Sequence, residues 1–296
     1  MSIRPNPTVG SFTAMLLLAL LWGLSIPITK LGLLTLPPLT LTALRFAIAV
    51  PLMFVFVVGK QRLPLRALPR IAALGVLGIG IGQVAQTFGV VDTSASAATI
   101  ISATIPLFVV LFAAMRLRQP VSGLQILGLV AAFIGIALVA SDRGDAASAV
   151  AQTSLGGAAL VLLSAVTIAF YYVWSVELTD QYGTAAVAAW STLFGFVALL
   201  PWAGWEMWHV PFQMTATGLG TAVYLGVVVT VLGLFLWLHL LRTVPARIAA
   251  GIQYLQPVVG VAAASVMFGD NLGMFFILGI ALVLGGLALT VTTRGS

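Results

Sequence analysis

Long apolar runs separated by short polar breaks cover almost the whole of this chain. A helix that crosses the hydrocarbon core of a bilayer needs about 20 mostly apolar residues, and each run is close to that length. The breaks carry turn-forming residues, for example Pro37-Pro38 and Gly269-Asp270-Asn271. The pattern therefore predicts ten transmembrane helices, at residues 12–34, 39–58, 68–91, 95–115, 122–140, 155–177, 184–203, 216–241, 246–268 and 272–292.

The positions of the basic residues predict the orientation of these helices. With ten spans both termini lie on one side of the membrane, and ten lysine or arginine residues fall on that side. Only Lys30 and Arg143 fall on the opposite side, and Arg45 lies within the second span. Because cytoplasmic loops of membrane proteins are enriched in Lys and Arg, both termini are predicted to be cytoplasmic. The net charge of +6 is then a topology signal, which argues against nucleic-acid binding.

Composition supports a lipid environment and limits the chemistry. The chain is 61% hydrophobic and only 7% charged, whereas about a quarter of the residues of a soluble domain are charged. It has no cysteine, two distant histidines, and no Asp or Glu at the predicted middle of a span. We therefore expect no enzyme activity, no metal and no cofactor. Since proton- and sodium-coupled carriers commonly hold a carboxylate at mid-membrane, we also expect transport without obligatory proton coupling.

A shift of 151 residues aligns two hairpins of the chain with each other. The aligned residues are one proline and two glycines in each hairpin: Pro106 with Pro257, Gly128 with Gly279, and Gly135 with Gly286. Chance matching in an apolar chain is the alternative. A real repeat would hold five spans, and this odd number would invert the second copy. The predicted fold is an all-α membrane protein of two inverted five-helix units, residues 1–146 and 147–296, with a solute site at their interface.

Several short motifs resemble the drug/metabolite transporter superfamily in its EamA-type branch. They are Trp22-Gly23, Arg45-Phe46, the proline-centred spans 4 and 9, and the hairpin motifs Gln125-x-x-Gly128 and Phe276-x-x-Gly279. The family usually has an acidic residue nine positions before the final glycine, which Asp270 matches and Gln119 does not. The resemblance covers about residues 12–292 and is greatest for the YddG-type exporters of aromatic and neutral amino acids. It implies ten helices in inverted repeats, a central cavity, alternating access and amino-acid or metabolite export across a bacterial inner (plasma) membrane.

Polar residues within the predicted spans are candidates for the solute site, because an unsatisfied polar group in lipid costs several kcal/mol. They recur on spans 3, 4 and 9 and share helix faces in pairs: Gln83 with Gln86, Thr99 with Ser102, and Gln253 with Gln256. We predict that they line an uncharged chamber for a neutral or zwitterionic solute. The alternative is that each of them holds two helices together through hydrogen bonds.

Aromatic and proline residues complete the candidate site. Aromatic side chains on spans 1, 6 and 8 are predicted to contribute to the chamber wall, with core or lipid-facing packing as the alternative: Trp22, Phe170, Tyr171, Trp174 and Trp237. Tyr254 flanks the polar residues of span 9 and is a further candidate. Pro106 and Pro257 each remove a backbone donor, so they are candidate hinges or packing kinks. Arg45 is an intramembrane charge and thus a functional candidate, but we predict a structural role because an arginine can brace helix ends.

Together these features predict a carrier that exports amino acids or related small neutral or zwitterionic metabolites by alternating access. Its partners are a small-molecule substrate and the lipid bilayer, and one chain suffices because both units of the pathway belong to it. A drug, nucleoside or other metabolite exporter of the same fold, driven by proton exchange, is the alternative. An intramembrane enzyme and a channel are disfavoured, because the sequence offers neither a catalytic constellation nor a selectivity filter.

Overall fold

The computed structural model describes residues 9–57, 63–117, 122–141, 153–243, 252–270 and 272–292. All regular secondary structure in these ranges is helical. Eight of the described helices are long and apolar enough to cross a membrane, and two shorter apolar helices, Leu255–Phe268 and Met274–Leu289, complete the set. The prediction of an all-α membrane fold with ten apolar helices is confirmed. The predicted boundary at residues 146 and 147 lies outside the described residues.

The first five spans follow the predicted apolar runs closely, although two of them are interrupted. Their bounds are Val9–Gly23 with Ser25–Leu33 (span 1), Pro38–Val57 (span 2), 65–91 (span 3), Ala95–Ser102 with Ile105–Leu117 (span 4) and Gly123–Ser141 (span 5). Span 3 changes its helix type along its length. It begins as a short 3-10 turn and contains a π-helix at Gly75–Gly80 before it ends as the α-helix Ile81–Val91.

The second five spans have related irregularities. Their bounds are Leu155–Trp174 with Val176–Tyr182 (span 6), Thr184–His209 (span 7), 216–243 (span 8), Ile252–Phe268 (span 9) and Met274–Thr292 (span 10). Span 8 contains a π-helix at Tyr224–Leu232. Span 7 runs six residues beyond its predicted end at 203, so Glu206 belongs to the helix rather than to a loop.

The irregular positions of the two halves correspond to each other under the same shift of 151 residues. The break of span 1 at Leu24 corresponds to the break of span 6 at Ser175. The π-helix Gly75–Gly80 in span 3 corresponds to residues 226–231, which lie within the π-helix of span 8. Departures from α-helix geometry do not follow from apolar composition, so this agreement supports a structural repeat. Five spans in each half give the halves opposite directions across the membrane.

Glycines bring spans 5 and 10 into direct backbone contact. A Cβ atom added to Gly135 would lie 2.7 Å from the carbonyl oxygen of Gly279, and one added to Gly286 would collide with that of Gly128. Only residues without a side chain allow such an approach between membrane helices. The shift of 151 residues exchanges these two contacts, because it relates Gly128 to Gly279 and Gly135 to Gly286. The contact between spans 5 and 10 is therefore symmetric, as an internal two-fold axis requires.

Buried charged side chains hold helix ends at the side of the molecule where span 1 ends. The Lys30 ammonium donates to the carbonyl oxygens of Val90, Val91 and Thr93, at 2.8, 2.8 and 3.0 Å, and so caps the C-terminus of span 3. Two buried carboxylates cap helix N-termini, where they accept hydrogen bonds from backbone N–H groups that lack helical acceptors. One is Glu206, which accepts from the Thr40 amide at 2.7 Å, and the other is Asp270, which accepts from the Ser96 amide at 2.9 Å.

The opposite side carries exposed ion pairs instead. Glu177, at the end of span 6, accepts from Arg116 at 2.8 Å and from Arg70 at 3.3 Å. These contacts place the start of span 3 and the end of span 4 at the same side, as the predicted topology requires. Large apolar side chains such as Val55 and Val266, which are 72% and 87% exposed, cover the outer surface of the bundle. An apolar surface of this kind is matched to lipid.

Candidate functional site

A polar contact deep in the bundle joins spans 2, 3 and 8. The Arg45 guanidinium on span 2 donates from Nη1 to the Gln83 amide oxygen of span 3 at 2.6 Å. Its Nε donates to the Thr230 hydroxyl of span 8 at 3.0 Å. The three side chains are half-buried and reach across the bundle toward one another. Arg45 therefore points inward and bridges the two halves of the chain.

The π-helix of span 8 presents the groups that receive these contacts. The Thr230 hydroxyl donates to the carbonyl oxygen of Leu225, five residues earlier, at 2.8 Å. The neighbouring carbonyl oxygen of Val229 accepts from the Trp22 indole nitrogen at 3.1 Å. A π-helix displaces its carbonyl groups from the regular α-helical ladder, and such segments are frequent at functional sites. Here the displaced segment binds span 1 through Val229 and span 2 through Thr230.

Two indole rings lie beside this segment. The Trp22 and Trp237 rings are 6.0 Å apart at their centroids and tilted by 42°. The Trp22 nitrogen sits directly over Gly233, where any side chain would collide with it. The structure thus brings together one group of inward side chains from both halves, which we call the central polar cluster: Trp22, Arg45, Gln83, Thr230 and Trp237.

Gln86 lies one helical turn beyond Gln83 on span 3 and is half-buried. Its position on the same helix face as Gln83 follows from their spacing of three residues. The two amides therefore extend the polar face of span 3 away from Arg45.

A second group of predicted residues lies where spans 1, 4 and 9 cross. A Cβ on Gly260 would lie 2.5 Å from the Thr99 methyl group and 2.8 Å from the Gly23 carbonyl oxygen. The Thr99 hydroxyl is buried and donates to its own helix, at the Ala95 carbonyl oxygen. These contacts give Thr99 and Gly260 a packing role. Gly23 is adjacent to Trp22, so this crossing borders the central polar cluster.

Two predicted polar side chains at this crossing are buried without a partner among the described residues. They are the Ser102 hydroxyl and the Gln256 amide nitrogen. Pro106 adds a third free group, because its missing N–H leaves the Ser102 carbonyl without its usual helical donor. Span 4 is accordingly broken at Ala103-Thr104, immediately before Pro106. Buried polar groups usually have a partner in the protein or an ordered water, so these unpartnered groups make the crossing a second candidate for contact with a solute.

The remaining predicted residues lie elsewhere or outside the described side chains. Tyr171 is 8% exposed and belongs to an apolar cluster of spans 3, 6 and 7, where its Cβ contacts Gly78. Pro257 lies inside the span 9 helix. Gln253 and Tyr254 belong to the same helix, but their side chains lie outside the described part of the chain. Of the residues predicted to bind solute, the structure thus places Trp22, Gln83 and Trp237 in the central polar cluster.

Sequence reasoning missed Thr230 and Tyr224 and gave Arg45 only a structural role. Tyr224, at the start of the π-helix, donates to the Leu21 carbonyl oxygen at 3.2 Å. Thr230 lies in a run of valine and leucine, and nothing in the sequence marks the π-helix that turns it toward Arg45. The described acidic residues lie at helix ends and in loops, none beside the central polar cluster. No three described His, Asp or Glu side chains come together as metal ligands.

An apolar bundle of ten helices with polar groups from several spans turned inward defines a membrane transporter of small molecules. The family profile of the EamA-like transporter family matches residues 10–141 and again residues 155–292. The chain belongs to this family, and the two matches correspond to the two halves of the fold. The predictions of the family and of a multi-pass protein of the inner (plasma) membrane are confirmed.

The chain is similar over nearly its whole length to several other transporters. A "Probable terminal-alkyne amino-acid exporter" of Streptantibioticus cattleyicolor is 30% identical over 284 residues, 93% of this chain and 91% of the relative. A "Probable amino-acid metabolite efflux pump" of Escherichia coli K12 is 28% identical over 287 residues, 93% of each chain. An "Uncharacterized transporter" of Archaeoglobus fulgidus is 26% identical and covers 92% of this chain and 95% of the relative. One crystal structure with 19% identity superimposes over 96% of both chains with a TM-score of 0.63, which shows the fold alone.

Proposed function

We propose that this transporter exports amino acids or related small neutral or zwitterionic metabolites by alternating access. Two relatives with names that specify amino acids or their metabolites support this solute class. The proposal does not include chemical conversion of the solute, and no group of three His, Asp or Glu side chains among the described residues could hold a metal ion. One chain is sufficient for the pathway in this proposal, and both termini face the cytoplasm.

The central polar cluster is the observation that carries the proposal. It draws Trp22, Arg45 and Gln83 from the first half of the chain and Thr230 and Trp237 from the second. Polar groups at this depth are costly in an apolar bundle unless they have a partner or a use. A site shared by two inverted halves lies where their relative motion exposes it first to one side of the membrane and then to the other.

The irregular helices support this mode of motion. Breaks in spans 1, 4 and 6 and π-helices in spans 3 and 8 interrupt the regular backbone ladder close to the interior. Irregular backbone inside a membrane protein is tolerated where it is buried in protein or lines a water-filled space. These positions are natural places for helix halves to tilt while their outer ends stay fixed.

The proposal includes transport without obligatory proton coupling. Glu206 and Asp270 are buried, but each is hydrogen-bonded to a helix N-terminus at the side where span 1 ends. Neither lies in the central polar cluster, where a coupling proton would have to compete with the solute. The solute then moves down its own gradient.

Exchange in liposomes tests the proposal. Purified full-length protein is reconstituted into vesicles loaded with unlabelled L-leucine, L-phenylalanine, uridine or glucose 6-phosphate, and uptake of the labelled solute is followed with equal pH and sodium on both sides. We expect saturable exchange of the amino acids, with the solute recovered unchanged. Exchange that requires a pH gradient would favour the proton-driven drug or nucleoside exporter instead, and glucose 6-phosphate as the sole substrate would refute the solute class.

A matched pair of tryptophan variants connects the flux to the site. Trp22→Phe removes the hydrogen bond to Val229 and part of the ring contact with Trp237, so it should lower exchange several-fold. Trp202→Phe alters a ring that is 66% exposed on span 7 and should leave exchange unchanged. Equal exchange rates in the two variants would remove Trp22 from the pathway.

A further inference from the structure

Arg45 carries a positive charge into the interior of the bundle, and no described carboxylate pairs with it. Its two hydrogen-bond partners, Gln83 and Thr230, are neutral, and its Cζ also lies 5.9 Å from the centroid of the Phe46 ring. The guanidinium has five N–H groups, and its hydrogen bonds to described residues use only Nε and Nη1. Nη2 makes no hydrogen bond to a described residue. Its N–H groups are therefore available to a further acceptor.

The depth of the contact excludes a side chain that reaches back to the membrane surface. Arg45 lies seven residues after the start of span 2 at Pro38, and Gln83 lies eight residues before the end of span 3 at Val91. At 1.5 Å per residue these positions are about 10 to 12 Å below the helix ends. Thr230, the third member, lies still deeper, near the middle of span 8. An arginine that snorkels would extend toward the surface, whereas Arg45 bonds to groups at its own depth or deeper.

The described carboxylates are engaged elsewhere or lie at helix ends. Glu177 pairs with Arg70 and Arg116 on the opposite side of the molecule from Glu206 and Asp270. Glu206 and Asp270 cap the starts of spans 2 and 4. A charged side chain within the membrane is expensive and is normally paired with an opposite charge or a water-filled path. The protein thus supplies a cation between its two halves that no described carboxylate balances.

We propose that Arg45 binds the carboxylate of the transported solute, so that the substrates of this carrier are monocarboxylates such as amino acids. The inference rests on the proposed carrier function and specifies its substrate class. A carboxylate accepts two parallel hydrogen bonds from a guanidinium, a geometry that neither an amide nor a hydroxyl can reproduce. The solute would supply the missing counter-charge each time it occupies the site.

The neighbours of Arg45 fit this role. Gln83 and Thr230 accept from two of its nitrogens and so fix the plane of the guanidinium before the solute arrives. The Trp22 indole donates to the carbonyl oxygen of Val229, the residue before Thr230. The Trp22 and Trp237 rings therefore lie near Thr230 and offer an apolar surface to the side chain of the solute. One cation matches one carboxylate, whereas a phosphate monoester carries nearly two charges and is usually met by several basic groups. The uncharged chamber predicted from sequence therefore holds one fixed charge.

The test compares the exchange of amino acids with that of their amides. A preference for the acids that depends on Arg45 indicates that Arg45 binds the solute carboxylate, whereas a purely structural Arg45 would give no such dependence. Full-length protein in liposomes is assayed by exchange with L-leucine, L-leucinamide, L-phenylalanine, L-phenylalaninamide and uridine, so that each amino acid has a partner lacking only the carboxylate. The variants are Arg45→Gln and Arg45→Lys, with Arg66→Gln as the control because Arg66 is exposed in the 3-10 turn at the start of span 3. Thermal unfolding and size-exclusion profiles establish that each variant is folded.

The wild-type chain should exchange the amino acids at least about tenfold faster than their amides, since hydrogen bonds to a charged group are worth that factor or more. Arg45→Gln should bring this ratio close to one, Arg45→Lys should leave an intermediate ratio, and Arg66→Gln should keep the wild-type ratio. If Arg45→Gln does not fold, the ratio in Arg45→Lys decides, because lysine keeps the charge without the fork.

Each other outcome contradicts a defined part of the reasoning. A purely bracing arginine would lower the stability of Arg45→Gln and slow all solutes alike, with the carboxylate-to-amide ratio unchanged. Wild-type exchange of uridine or the amides without preference for the acids would overturn the role of Arg45 and leave the carrier proposal standing. No exchange of any solute by the wild-type chain would overturn the carrier proposal and this inference with it.

Discussion

Lys30 offers a quantitative test of how buried charge stabilises this fold. Its ammonium is 6% exposed and donates to three carbonyl oxygens at the end of span 3, none of which has a helical donor. Lys30→Met keeps most of the apolar stem and removes all three hydrogen bonds. The variant therefore isolates the contribution of the charge and its capping contacts.

The expected loss of stability is about 2–4 kcal/mol. A hydrogen bond to a charged group contributes about 1.5–3 kcal/mol, but three bonds to one ammonium are not additive. Loss of the charge also recovers the cost of burying it. Val91 is 41% exposed, so water can reach part of the freed helix end and lower the cost further.

Thermal unfolding in detergent, followed by the intrinsic fluorescence of the seven tryptophans, measures this loss. Arg70→Met is the matched control, since it removes a cation that is 63% exposed and pairs only with Glu177. Exposed ion pairs contribute about 0–1 kcal/mol, so the control should unfold close to the wild type. A Lys30→Met variant as stable as wild type, or no more affected than Arg70→Met, would refute the reasoning.

Two further substitutions test other helix contacts. Gly279→Ala would place a methyl group 2.7 Å from the Gly135 carbonyl oxygen and should destabilise the protein by about 1–3 kcal/mol. Gly285→Ala on the same helix meets open space, so this control should be neutral or stabilising. Equal unfolding temperatures of the two variants would contradict the close contact of spans 5 and 10. Glu206→Gln keeps an acceptor for the Thr40 amide but removes the negative charge at a helix N-terminus, so it should lower the stability by about 1 kcal/mol, which thermal unfolding would measure.

The apolar runs were sufficient to predict the spans, because lipid imposes one length and one composition on every helix that crosses it. The ends of spans 2 and 5 lie within one residue of the prediction, at 38–57 and 123–141. Span 7 is the clearest departure. Its polar end, with Glu206 and His209, reads as a loop in the sequence but continues as helix because Glu206 is buried against the start of span 2.

The helix irregularities and the partners of Arg45 could not be predicted from the sequence. A π-helix keeps the apolar composition of its span, so residues 224–232 look like any other stretch of a membrane helix. Pro106 was a visible signal, but it marks the start of a new helix segment after the break at Ala103-Thr104 rather than the middle of one helix. Arg45 was recognised as unusual, but its contact with Thr230 depends on how two distant spans pack, which one sequence cannot show.

The glycine contact between spans 5 and 10 also indicates where the chain could be divided into two separately expressed pieces. Each of the two segments matched by the family profile, residues 10–141 and 155–292, carries one partner of this contact. Gly128 and Gly135 on one segment meet Gly286 and Gly279 on the other in a reciprocal arrangement, as in the interface of a symmetric homodimer. We expect two co-expressed half-chains, divided between residues 141 and 155, to assemble through this same contact.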